Sequence, residues 1–245
     1  MKRMRKPVKQ GLYDPAFEHD SCGVGFVCNV DGKKNHKIID NAVNVLEHMS
    51  HRGAVGADPR TGDGAGILIQ IPHDFYRRVC ASMDIDLPPG GDYGTGIIFL
   101  PTDNDDRSFC QKALEEQIRA SGQELLGWRD VPVDDSILGE GARGTQPVVR
   151  QIFIGRSDST EKGLPFERKL YVIRKAVENT VLSSSLGQKD FFYITNISSR
   201  TISYKGLLMP EQVRPYYPDL SEKEVVSGLA LVHSRYSTNT FPTWD

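Results

Sequence analysis

Apolar positions along this chain recur with two periods, in successive blocks. Over residues 22–30 side chains alternate with glycines, the period-two spacing of a strand. Ile38/Ile39, Ala42/Val43, Leu46 and Met49 then return at helical spacing, with Asn35 placed to cap the helix they predict. A loop over 51–66 carries five glycines and leads into a strand over 67–71. A short helix around 75–83, a Pro- and Gly-rich turn at 88–91 and a buried strand over 96–100 come next. Phe109/Cys110, Ala113/Leu114 and Gln117/Ile118 mark another helix, stopped by Gly122.

The second half repeats this grammar. Residues 147–154 read as a strand, and Leu170, Ile173, Ala176/Val177 and Val181 mark an amphipathic helix. Residues 191–196 and 201–204 predict a hairpin, Tyr216-Tyr217-Pro218 a loop, and 229–232 a final strand. Strands and helices come in blocks rather than in strict β-α-β alternation, which predicts an α+β fold. No linker divides the body, and no repeat or low-complexity tract is visible.

A length of 245 residues suits one large core or two small ones. A net charge of −2 gives no general attraction to nucleic acid or to an anionic membrane. Lys2, Arg3, Arg5, Lys6 and Lys9 cluster at the start, but no apolar run follows to make a secretory signal. A stretch of roughly 18 apolar residues that would span a bilayer is likewise missing, so a cytoplasmic address is expected. The cysteines Cys22, Cys28, Cys80 and Cys110 show neither C-x-x-C nor zinc spacing, and no metal site is expected. On one extended strand Cys22 and Cys28 would stand about 20 Å apart, too far for a disulfide.

Candidate chemistry centres on Cys22. It heads a glycine-bearing strand after the polar run Glu18-His19-Asp20-Ser21. An unperturbed thiol, with pKa about 8.5, is only a few per cent thiolate at neutral pH and needs a base. An amide nitrogen cannot serve, because its lone pair is delocalised. Cleavage of the Ser21–Cys22 bond would free an α-amine of pKa about 7.7–8.0, giving one residue both nucleophile and base. Residues 1–21, basic then polar and interrupted by Pro7 and Pro15, read as the leader so removed. A buried structural cysteine is the commoner fate of a lone cysteine, and a His51-assisted thiol is a further alternative.

Arg235 is the second candidate. On a strand it shares a face with His233, Leu231 and Leu229, where its planar fork suits a carboxylate. A structural ion pair explains it equally well. The loop through Arg52-Gly53 and Thr61-Gly62-Asp63-Gly64-Ala65-Gly66 lacks the Lys-Ser/Thr ending of a P-loop and the calcium-loop spacing. Close backbone approach beside a site accounts for its glycines better.

Taken together, Gly11-Leu12-Tyr13 through Cys22-Gly23, His51-Arg52-Gly53-Ala54, Thr61–Gly66, Gly127–Asp134, Ser198–Ile202 and His233–Pro242 resemble one known family. It is the class II glutamine amidotransferase region that opens the glutamate synthase large subunit. The resemblance implies the N-terminal-nucleophile hydrolase fold, a four-layer α/β/β/α sandwich, over 22–245. It implies Cys22 as nucleophile, Arg235 as the holder of the glutamine α-carboxylate with Thr238 and Asn239 lining the same pocket, and Arg52 and Asp63 as a supporting loop. The implied reaction is hydrolysis of L-glutamine to glutamate and ammonia. In the intact family the ammonia passes to a downstream flavin synthase domain, which uses FMN and an iron–sulfur cluster. Electrons come from NADPH through a small reductase subunit or from ferredoxin. No cofactor is expected in this segment. The family's oxyanion-hole Asn-Gly lies beyond the residue matching Asp245, so a truncated fragment with little activity of its own is expected. A non-catalytic amidotransferase-like binding or regulatory module is the alternative.

Overall fold

The computed structural model describes residues 11, 22–50, 58–236 and 242–244. In chain order it runs β1 (Gly23–Cys28), α1 (Lys37–His48), β2 (Ala65–Gln70), α2 (His73–Ala81) and β3 (Tyr93–Leu100). Then come α3 (Asn104–Ala120), β4 (Glu124–Asp130), α4 (Glu140–Gly144), β5 (Val148–Gly155) and α5 (Leu164–Leu182). The remainder is β6 (Tyr193–Ile194), β7 (Thr201–Gly206), α6 (Val213–Tyr216) and β8 (Leu229–Ser234). The strands form two antiparallel sheets, ordered β1-β8-β2-β7 and β4-β5-β3-β6. The α+β expectation holds.

The second sheet belongs to a β-α-β-β-α-β unit, the split βαβ arrangement. Its α3 begins where the Asp103 carboxylate accepts from the Asp105 and Asp106 amides, both at 3.0 Å, which satisfies two donors a helix start leaves unpaired. α3 and α5 cover one face of this sheet, burying Cys110, Leu114, Ile118, Leu170, Ile173 and Val177 against Ile98, Leu100, Ile152 and Ile154. Tyr93, Ile97, Phe99 and Phe153 point from the other face into a larger core. That core also takes in α1, α2 and the inner face of the first sheet, including Ile67, Ile69, Ile202, Ala230 and Val232.

A buried polar chain runs through the larger core and ties the two sheets together. Arg129 of β4 donates to both Asp219 oxygens at 2.7 Å and to Gln151 of β5 at 3.0 Å. Tyr204 of β7 donates to the same carboxylate at 3.1 Å, and its hydroxyl lies 2.7 Å from that of Tyr76 on α2. Burial alone would lower the Arg129 guanidinium; the Asp219 carboxylate more than reverses this and raises it.

Three expectations need correction. Residues 191–196 and 201–204 do not form a hairpin: β6 pairs with β3 in one sheet and β7 with β2 in the other. Asn196 explains the split, since its side chain donates to the Thr201 carbonyl at 2.9 Å and accepts from the Ser203 amide at 3.0 Å. The corner is therefore held by a side chain rather than by a backbone ladder. Residues 124–130 form a strand where none was predicted. Arg129 breaks the apolar pattern there, yet it is 5% exposed because Asp219 satisfies it. The residues 216–218, read as a loop, hold the end of α6 and the start of a 3-10 turn.

Candidate active site

Strand order alone gathers the candidate residues. β8 lies between β1 and β2 and runs antiparallel to both, so its C-terminal end sits beside both of their N-terminal ends. Ser234 is accordingly opposite Gly23 on one side and Ala65 on the other. Cys22 immediately precedes β1, Asp63 and Gly64 precede β2, and Arg235 follows β8. The Arg235 amide extends the ladder one step, donating to the Gly64 carbonyl at 2.8 Å. Cys22 and Arg235 are half-buried at this end of the sheet and Asp63 is buried.

A cavity of about 190 Å³ opens here, lined by Asp63, Gly64, Lys205, His233, Arg235 and Thr243 among others. A smaller one of about 80 Å³ shares Asp63, Gly64 and Arg235 and adds Ser234 and Glu211. The larger cavity is rich in cationic side chains. Partial burial lowers the His233 imidazole, and Lys205 and Arg235 lower it further. The Lys205 ammonium lies 4.3 Å from the Tyr193 ring centroid and 3.3 Å from its hydroxyl. Asp63 supplies the acidic group of the lining.

Of the residues singled out from the sequence, Cys22, Asp63 and Arg235 come to one end of the first sheet. Arg52, Thr238 and Asn239 lie outside the described residues, as do the alternative base His51 and the segment 12–21. Two of the other motifs serve the scaffold. Arg129 belongs to the buried polar chain, and Ser198 and Ser199 give hydroxyl donors to Glu167 on α5, with the Ser199 amide 2.6 Å from the same carboxylate. Lys205 and Thr243 were not foreseen as lining. Lys205 carried a usable signal, being the one charged side chain in the strand Thr201–Gly206.

Cys28 is exposed, and the other two thiols are sealed in the cores. Cys80 is buried in the larger core and Cys110 in the smaller, where burial pushes their thiols up to about 11 and about 12. Among the described residues no group of three or more His, Cys, Asp or Glu side chains is placed to hold a metal ion, and no helix is long and apolar enough to cross a membrane.

Residues 22–245 match the family described as "Glutamine amidotransferases class-II". The chain is 48% identical over 239 residues to a glutamate synthase [NADPH] large chain of Bacillus subtilis, covering 98% of this chain and 15% of that one. It is 43% identical to a glutamate synthase [NADH] of Saccharomyces cerevisiae (98% and 11%). Against a chloroplastic ferredoxin-dependent glutamate synthase 2 of Arabidopsis thaliana the identity is 38% (98% and 14%). The chain thus spans 11–15% of the length of these relatives.

Proposed function

The chain belongs to the class II glutamine amidotransferases, and on that premise we propose that it releases ammonia from L-glutamine with Cys22 as nucleophile. The observation that carries the reading is the meeting of Cys22, the Asp63-Gly64 turn and Arg235 at one sheet end beside a 190 Å³ cavity. Removal of residues 1–21 frees the Cys22 α-amine, which takes the proton of its own thiol. The thiolate attacks the side-chain carboxamide of glutamine, and a thioester forms as the C–N bond breaks. The α-ammonium returns its proton to the leaving nitrogen, which departs as ammonia. Water, deprotonated by the same amine, then opens the thioester to glutamate and restores the thiol.

Arg235 holds the α-carboxylate, with Thr238 and Asn239 in the same pocket. Arg52 and Asp63 support the turn beside the nucleophile. A fork donor suits this task because it fixes a carboxylate in two directions at once. The match to the family begins at Cys22, which supports the leader reading of 1–21.

The same reading gives the fold as a four-layer α/β/β/α sandwich. In support, one face of the first sheet exposes Val24 (63%), Phe26 (60%) and Leu231 (40%), an apolar surface that a further layer would cover. In the complete polypeptide the ammonia passes to a flavin synthase domain for reductive amination of 2-oxoglutarate, in the cytoplasm, with NADPH or ferredoxin as reductant. FMN and an iron–sulfur cluster serve that domain. The cysteines here do not fit a cluster, since Cys80 and Cys110 are sealed in separate cores and Cys22 and Cys28 flank one strand.

The test is Cys22→Ser in the complete natural polypeptide, with glutamine-dependent ammonia release and the mass of the mature N-terminus as readouts. Abolished release, with Cys22 the first residue of the parent protein, is expected. Undiminished release by Cys22→Ser would sink the reading in favour of another nucleophile. No ammonia release from the processed parent would favour a binding or regulatory module.

A further inference from the structure

We infer that Trp244 is a positioning residue for the substrate cavity, its indole seating the Thr243 wall against the space that Arg235 and Asp63 line. The inference deepens the amidotransferase reading and rests on it. Trp244 is 6% exposed and is held from four separate elements. Its Nε1–H donates to the Ala142 carbonyl of α4 at 3.1 Å. Phe99 of β3 meets it edge-on with centroids 5.8 Å apart, and Tyr216 of α6 lies at 5.6 Å. The fourth contact is the end of β7. A Cβ on Gly206 would stand 2.6 Å from Cζ3 of the indole and 3.0 Å from Cε3, so the ring occupies the space a side chain would need.

Thr243 is bonded directly to this anchored residue. It lines the 190 Å³ cavity together with Arg235, and it also lines a second cavity of about 540 Å³ bounded by Phe99, Phe191 and Tyr193. Thr243 is therefore part of the partition between the two spaces. Close-packed interiors transmit displacement rather than absorb it. A shift of the indole in its slot moves the Thr243 backbone, and with it one wall of the 190 Å³ cavity. Through its ring the indole also packs on Gly206, itself a lining residue, so it bears on the cavity through Thr243 and the end of β7 together.

Gly206→Ala and Trp244→Phe separate this role from packing alone. Gly206→Ala pushes the ring out of its slot; Trp244→Phe keeps an aromatic ring but removes the donor to Ala142. Both are made in the complete natural polypeptide, and kcat and KM for L-glutamine are measured by ammonia release beside the melting temperature. A misplaced wall costs on the order of 10-fold in the ratio kcat/KM. The expected pattern is that loss carried by KM, with kcat within about twofold of the parent, and the smaller effect in Trp244→Phe. A residue that only fills the core lowers the melting temperature but leaves KM of the folded fraction unchanged. That outcome in both variants overturns the inference and leaves the amidotransferase reading intact. Should Gly206→Ala fail to fold, Trp244→Phe decides alone. A parent protein that releases no ammonia from glutamine defeats both.

Discussion

Asp219→Ala is the sharpest test of what holds the two sheets together. The Arg129 and Asp219 side chains are 5% and 4% exposed, with two bonds of 2.7 Å between them. Truncating the carboxylate leaves the guanidinium buried, with the neutral Gln151 at 3.0 Å and the face of Phe75, 5.7 Å away, as its remaining company. It also takes the acceptor from the Tyr204 hydroxyl. Breaking one side of a buried pair costs about 3–5 kcal/mol, a large part of the roughly 5–15 kcal/mol that holds a typical fold. At about 2–4 °C per kcal/mol for a chain of this size, the melting temperature should fall by about 6–20 °C. Urea unfolding followed by tryptophan fluorescence measures the loss directly. The companion Arg129→Met/Asp219→Leu removes both charges, and such replacements lie between neutral and about 1–4 kcal/mol more stable. The loss of one partner each by Tyr204, which keeps Tyr76, and Gln151, which keeps Thr95, places it toward the neutral end. A loss below about 1 kcal/mol in Asp219→Ala, or a double variant as unstable as the two singles added together, would refute the reasoning.

Other expectations are narrower. Gly96→Ala would set a Cβ 1.8 Å from the Asn196 carbonyl oxygen, a backbone atom with no rotamer to yield; a loss of about 1–3 kcal/mol or more is expected, and an unchanged thermal midpoint would contradict it. Asp103→Ala should cost about 0.5–2 kcal/mol by uncapping α3, while Asp103→Asn retains most of that stability; equal losses in the two would deny the capping role. His233 is held below its ordinary value near 6.5 by partial burial and then by Lys205 and Arg235. Between the two values the unfolded chain binds more protons, so this contribution is present above about 6.5 and is lost as pH falls through the lowered folded value. Urea midpoints across that acid range should therefore steepen in the parent and flatten in His233→Gln, and identical pH profiles would count against it.

The parts legible in the sequence are those where local preference and tertiary burial agree. α1 and α5 announce themselves because Ile38, Ile39, Leu46, Leu170, Ile173 and Val181 recur on one face and that face is the buried one. Asn35 accepts from the Ile38 amide at 3.2 Å, as its position suggested. β4 was hidden because its buried arginine is made tolerable by Asp219, distant in sequence, which no local pattern reveals. The false hairpin has the same origin, since partner choice by β6 and β7 is a long-range matter. At the site, Cys22 and Arg235 were legible as residue types in suggestive settings. That β8 would lie between β1 and β2 and so bring them together was not. Nor was the gathering of Lys205, His233 and Arg235 around one cavity, because they come from two strands that β2 separates.

The β-α-β-β-α-β unit enters and leaves the body of the protein through a single doorway. The Thr95 amide bonds the Ser198 carbonyl at 2.9 Å, and the Ser198 amide returns a bond to Thr95 at 3.1 Å. Chain and return meet at that one point, while Arg129 and the α4 segment reach back from the unit to Asp219 and Trp244. The turns at 121–123 and 156–160 bond each other through Gln123, Ser157 and Thr160, so changes of length there need not tug on the strands that carry Cys22 and Arg235. The threshold itself, Gly96 against Asn196, is where such freedom stops.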